Sequence, residues 1–197
     1  MCGAESILQT VRERIKVAVS EKVQLRFDQL ISKITEISDV SLKGKDQFFA
    51  KLSVNGHPPL DSFNVKFECK NRLFSRDYHT IFSIEAIEGA CSSLNDWNCS
   101  LQYNKKNAVF VSKNQVAAAF FNGIPTLTSR CRELDIVKLE IYQNKDNSSI
   151  VLETMAGSVT WMLIPPLTYQ VPFETKDFLG ILQILQLCCM IKYAEGV

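Results

Sequence analysis

The chain has 197 residues, 46% of them hydrophobic and 22% charged. These are ordinary values for a globular chain, and they exclude wholesale disorder, collagen and a multi-pass membrane protein. Lys and Arg number 22 against 21 Asp and Glu, a net charge of +1, so no global positive field draws the chain onto nucleic acid.

Residues 5–38 hold no Gly or Pro and read as one long helix. Leu8, Val11, Ile15, Val19, Val23, Phe27, Leu30, Ile34 and Ile37 recur at steps of three or four, matching the straight-helix period of about 3.6. A coiled-coil seam through Leu8, Val11, Ile15 and Ala18 meets Lys22 at its next position, so the heptad fails. Arg12, Arg26 and Lys33 project close to the centre of the stripe, with stems able to run along an apolar surface. Ile7, Ala18 and Leu25 form a second strip beside it. At about 1.5 Å per residue the helix is ~50 Å long, more than the ~42 Å diameter of a compact body of this chain length. It is therefore expected to overhang the body or straddle its edge.

Ser38–Asp46 reads as the one boundary, and the sheet region as 47–164. Phe48, Ala50, Leu52 and Val54 alternate with Phe49, Lys51, Ser53 and Asn55, and after the Asn55-Gly56-His57-Pro58-Pro59 turn Phe63, Val65, Phe67 and Cys69 alternate more cleanly with Asn64, Lys66 and Glu68. A third strand spans 79–88, with Phe82, Ile84 and Ala86 on one face. Trp97, Cys99, Leu101 and Tyr103 lead through Asn104–Asn107 into Ala108–Val111, a hairpin. Ser112-Lys113-Asn114-Gln115 has the form of a capping box opening a short helix, Val116–Phe121, which Gly123 and Pro125 close. Strands follow at 137–142, 149–156 and 159–163, with Gly157 as punctuation between the last two. Pro165-Pro166 ends the sheet, and Thr175 is the expected N-cap of an apolar closing helix over 175–193. Asp177 and Lys192 bracket fourteen residues of that helix, short of the roughly 17–25 needed to span a bilayer.

The expected fold is a single α+β domain over 1–197. It comprises an antiparallel sheet of seven to eight strands, a long N-terminal helix, a short middle helix and an apolar C-terminal helix packed on the sheet.

Seven cysteines, at 2, 69, 91, 99, 131, 188 and 189, make an odd count. Arg12, Glu13, Arg14 and Lys16 stand where a secretory leader needs an apolar core. Reduced thiols and a cytoplasmic or nuclear chain are the expectation, with Cys2 the most exposed thiol. Metal ligation lacks its spacing: there is no Cys-x₂₋₄-Cys pair, and the histidines are His57 and His79. Nor does the chain carry a G-x-S-x-G, P-loop or G-x-G-x-x-G motif. Asp77 and His79 share a strand face, where a carboxylate can orient an imidazole. No catalytic residue, cofactor or metal follows from that pair alone.

Three functions are open. An apolar helix needs cover on every side, and one sheet face supplies part of it. A non-catalytic protein-interaction module, a subunit or adaptor of a larger hetero-oligomeric complex, is therefore the first expectation. Its candidate contacts are Ile7, Ala18, Leu25, Leu182, Leu185 and Met190. The second is a carrier of an apolar ligand, or a divergent enzyme, with Phe82, Trp97, Tyr103 and Trp161 lining a cavity. The third is single-stranded nucleic-acid binding through Arg12, Arg14 and Lys16, and through Lys66, Lys70, Arg72 and Arg76 interleaved with Phe67, Phe74 and Tyr78. No membrane span is expected. The order of long helix, strands, prolines and helix, with Pro165-Pro166, Tyr169 and Pro172 between sheet and helix, resembles the RWD-like interaction modules of kinetochore and ubiquitin-pathway proteins. That resemblance implies a scaffolding role. The tyrosine–proline spacing, the larger strand number and the single closing helix depart from that family's pattern.

Overall fold

The computed structural model describes residues 2–37, 39–56, 59–87, 96–104, 107–143, 148–162 and 167–190, and their side chains outside 2–18, 86–87 and 104. The first helix, α1, spans Cys2–Thr35. Val19, Val23, Phe27, Leu30, Ile31 and Ile34 are buried along one stripe, as the periodicity requires. Leu8, Val11 and Ile15 lie outside the described side chains, and so does the expected overhang. The helix stops three residues short of Ser38. Thr35 Oγ1 donates back to Ile31 O and Ser32 O, and Val40 already belongs to the sheet.

The expected boundary is itself a strand. β1 (Val40–Asp46) pairs with β2 (Phe49–Val54), and β3 (Ser62–Asn71) and β4 (Ser75–Ile87) continue the meander. β1 escaped the period-two pattern because Val40 is its one buried residue. β5 (Trp97–Asn104) and β6 (Asn107–Ser112) form the expected hairpin.

Two short helices follow where one was expected. α2 (Gln115–Asn122) is capped by Asn114, whose Oδ1 accepts from the amides of Val116 and Ala117. Ser112 instead donates to Asn98 O. Pro125 does not close α2. It opens α3 (Pro125–Glu133), at the first helical position, where proline's missing N–H is harmless.

β7 (Ile136–Gln143) pairs with β8 (Ser148–Met162). The two expected strands are thus one, and Gly157 marks a bulge within it. On β4, Tyr78 faces Val159 and Thr80 faces Thr154, so the extra residues sit on β8. A short strand the sequence reading missed, β9 (Leu167–Gln170), pairs with β8 beyond the bulge. The proline-bearing segment of the RWD-like resemblance therefore contains a strand. Pro165 and Pro166 lie outside the described residues. α4 spans Thr175–Cys189; its cap is Glu174, reciprocally bonded with Asp177, rather than Thr175.

The nine strands form one open sheet in the order β1-β2-β3-β4-β8-β7-β5-β6, with β9 beside β8. The helices cover one face of it. Phe27 of α1 meets Phe67 at 4.9 Å, and Phe121 of α2 meets Phe110 at 5.3 Å. Tyr103 Oη donates to Cys131 O of α3. Phe178 of α4 sits among Phe63, Phe82 and Phe173 with ring centroids 5.9–6.4 Å apart.

One expectation about α4 is corrected here. Leu182 (2% exposed) and Leu185 (0%) are core residues, so neither is available to a partner. The sheet, α1 and α3 together cover most of α4. One sheet face alone could not, and the extra helix α3 supplies the difference.

Candidate functional site

The sheet's other face carries no helix among the described residues. On it, antiparallel register sets polar side chains in cross-strand rows. Lys70 lies opposite Asp77, Glu68 opposite His79, and Asp77 opposite Thr160. Glu153, from β8, is buried and receives two neighbours at one oxygen. Lys70 Nζ lies 2.5 Å from its Oε1 and His79 Nδ1 lies 2.6 Å from it. His79 is buried as well. Beside this cluster, Arg72 Nε stands 2.6 Å from Asp77 Oδ2, and Thr160 Oγ1 donates to Asp77 Oδ1 at 2.9 Å. Across the sheet, Lys138 Nζ lies 2.7 Å from Glu140 Oε2, which also accepts from Tyr142 Oη. Burial pushes the Glu140 carboxyl up, but the hydrogen bonds from Lys138 and Tyr142 outweigh it and hold the group below the usual carboxylate range.

A cleft of about 350 Å³ opens at the β3–β4 and β8–β9 end of this face, lined by Arg72, Asp77, His79, Met155, Thr160 and Met162 among others. Exposed apolar residues stand at the same end of the sheet. Leu73 (85% exposed) and Phe74 (59%) form the tip of the β3–β4 hairpin; Leu167 (55%), Tyr169 (61%) and Met162 (38%) continue the patch. Register makes Met162, Leu167 and Tyr169 neighbours on this face. Ser75 faces Met162, Met162 faces Leu167, and Thr160 faces Tyr169.

Lys70 and Arg72 offset the charges of Glu153 and Asp77, while the buried His79 Nδ1, though close to Glu153, makes no hydrogen bond among the described residues. Asp77 and His79 share the expected face, but they do not pair with each other. No serine, threonine or cysteine hydrogen-bonds to His79 among the described residues. Ser158 Oγ, also at the cleft, donates to Thr154 O at 2.8 Å. The described residues include no group of three or more His, Cys, Asp or Glu arranged for a metal. Glu153 was the residue sequence reasoning missed. Its signal was one carboxylate inside the apolar run 150–156. Only strand pairing reveals that it meets Lys70, 83 residues away.

The other expected residues are dispersed. Leu25 (55% exposed) and Met190 (46%) are accessible but stand on different helices. The side chains of Ile7 and Ala18, and of Arg12, Arg14 and Lys16, lie outside those described. Phe82 and Trp97 belong to separate aromatic clusters, one with Phe178 and one with Phe121. In the basic set, Lys66 lies 3.2 Å from Glu68, and Lys70 and Arg72 hold Glu153 and Asp77. Phe67 and Tyr78 are buried, leaving Phe74 exposed. Of the thiols described, Cys69 is exposed and Cys99, Cys131, Cys188 and Cys189 are buried; Cys2 lies outside the described side chains. Among the described residues no helix is long and apolar enough to cross a membrane.

A search of curated proteins and a search of solved structures each return no match. A protein family described as "Protein of unknown function (DUF3156)" matches residues 35–190. That span takes in the whole sheet, α2, α3 and α4, and begins at the last residue of α1. The chain therefore belongs to the DUF3156 family.

Proposed function

We propose that the chain is a non-catalytic protein-interaction module, a subunit or adaptor of a larger complex, which docks through the apolar end of the open sheet face. The observation that carries this reading is the exposed apolar set Met162, Leu167 and Tyr169 on this face, with exposed Leu73 and Phe74 at the adjoining hairpin tip. Burying a large apolar side chain is worth roughly 1.5–3 kcal/mol. A clustered set left in water is thus a source of binding energy, and such patches mark interaction sites. The ionisable groups beneath it are paired with one another, which suits a rigid polar floor better than proton transfer. Leu25 and Met190 remain accessible as secondary contacts.

The test is affinity capture from the protein's own cells, comparing the full chain with a Leu73→Ser/Phe74→Ser variant whose thermal midpoint is first shown unchanged. The reading expects a protein recovered in stoichiometric amount with the wild type and lost with the variant. Equal recovery by both chains, or no partner for either, overturns it.

A further inference from the structure

We propose that the outer edge of β9 accepts an extended peptide segment of a partner chain as an additional strand, with alternate side chains entering the groove between α1 and Val171–Phe173. This rests on the docking reading above and names the form of the partner.

A strand edge presents unpaired N–H and C=O groups, and natural sheets block such edges unless they are used. Three strands, β1, β6 and β9, leave a whole flank without a strand partner among the described residues, and two of them are blocked. β1 carries a bulge between Leu42 and Gly44 and the cations Lys43 and Lys45. β6 is plugged by a side chain: Asn122 Oδ1 accepts from Phe110 N at 2.8 Å, and Asn122 Nδ2 donates to Phe110 O at 2.9 Å. β9 has neither device. Its sequence is Leu-Thr-Tyr-Gln, without charge or proline, and its register against β8 runs unbroken from Val159↔Gln170 to Met162↔Leu167. β4 occupies one flank of β8 throughout, and β7 holds the other only as far as Thr154. The flank beyond the bulge therefore belongs to β9, whose far side pairs with no strand among the described residues.

The groove supplies specificity. It has a volume of about 470 Å³ and begins at Gln170, the last residue of β9; Arg26, Lys33 and Glu36 line its α1 wall and Phe173 its floor. Side chains of an added strand alternate between faces. Those on the helix side meet Arg26 and Lys33, which favour an acidic residue. Those on the open side meet Leu167 and Tyr169, which favour apolar ones. The occupant is thus an extended segment alternating acidic and apolar residues, a recognised form of strand addition.

Length decides against a second copy of this chain. Four residues at about 3.4 Å each make an edge of ~14 Å. Two rigid bodies meeting there fall short of the roughly 1,200–2,000 Å² of a stable interface.

The probe is a phage-displayed library of random 12-residue peptides, selected against the full chain. The proposal expects alternating acidic–apolar peptides that protect the amides of 167–170 from hydrogen exchange. It expects their affinity to fall tenfold or more for Leu167→Lys/Tyr169→Lys, and to vanish when alternate peptide nitrogens are methylated. Leu42→Ser, at an exposed position on β1 outside the docking patch, leaves their affinity unchanged. No selected peptide, or protection confined to other segments, overturns the proposal. If peptides instead depend on Leu73 and Phe74 and ignore β9, strand addition falls while the docking reading stands. A dimer in light scattering that Leu167→Lys/Tyr169→Lys disperses assigns the edge to a second copy, and also overturns it.

Discussion

Leu30 of α1 and Gly157 of β8 meet so closely that a β-carbon on the glycine would stand 3.1 Å from Leu30 Cδ1, with Phe173 and Thr80 at 3.3 Å. Gly157 also has φ +77°, a backbone that L side chains rarely adopt. The bulge and the seat of α1 therefore depend on one missing side chain. Gly157→Ala is expected to cost about 1–3 kcal/mol, read as a lower urea midpoint. Gly44→Ala is the control. No atom lies within 4 Å of the added carbon there, and the midpoint should hardly move.

Asn122 takes the place of a neighbouring strand for Phe110. Asn122→Ala leaves both backbone groups without these bonds and should cost about 1 kcal/mol. Hydrogen exchange at the Phe110 amide should accelerate. A protection factor equal to wild type would show that the plug is dispensable.

Glu153 is the hub of the polar cluster and is far more buried than Lys70. Its removal takes away the carboxylate that lies 2.6 Å from the buried His79 Nδ1. Glu153→Ala is expected to cost about 2–4 kcal/mol, against less than about 1 kcal/mol for the half-exposed Lys70→Ala. Guanidinium denaturation of the two variants decides it, and equal losses would refute the hub role.

Burial pushes the Cys99 thiol up to about 11 and the Cys131 thiol to about 12, from an ordinary 9.0. Tyr103 rises to about 12 from 10.0, through burial and the nearby Cys131 and Asp135. Each folded group holds its proton where the unfolded chain releases it. Their contribution is complete below pH 9, and declines as pH rises through 9 toward 11–12. The thermal midpoint should fall over that window. Alkylation mapped by mass spectrometry at pH 8 should label Cys69 and spare Cys99 and Cys131 until the chain unfolds.

Leu182 and Leu25 separate core from surface. Leu182→Ala should cost about 2–5 kcal/mol, whereas Leu25→Ser and Met190→Ser should stay within about 0.5 kcal/mol. Differential scanning calorimetry on the three variants tests the assignment.

Much of this architecture is written in local pattern. The stripe from Val19 to Ile34 specifies its helix because 3.6-residue spacing gathers apolar side chains on one side of α1. The alternation from Phe63 to Phe67 specifies β3 because successive strand residues face opposite ways. What the pattern omitted were elements with little burial of their own, β1 and β9. It also misjudged signals that mean two things, such as Pro125, which can end one helix or begin the next. The site belongs to neither category. Lys70, His79 and Glu153, or Ser75, Met162 and Leu167, are brought together by antiparallel register between segments far apart in the chain. Pairing energy depends on partners that no local window contains. The chain alone thus determined which residues are apolar and at what period. Only tertiary packing decided which of them are covered, burying Leu182 under α3 and the sheet while leaving Leu73, Leu167 and Tyr169 in water.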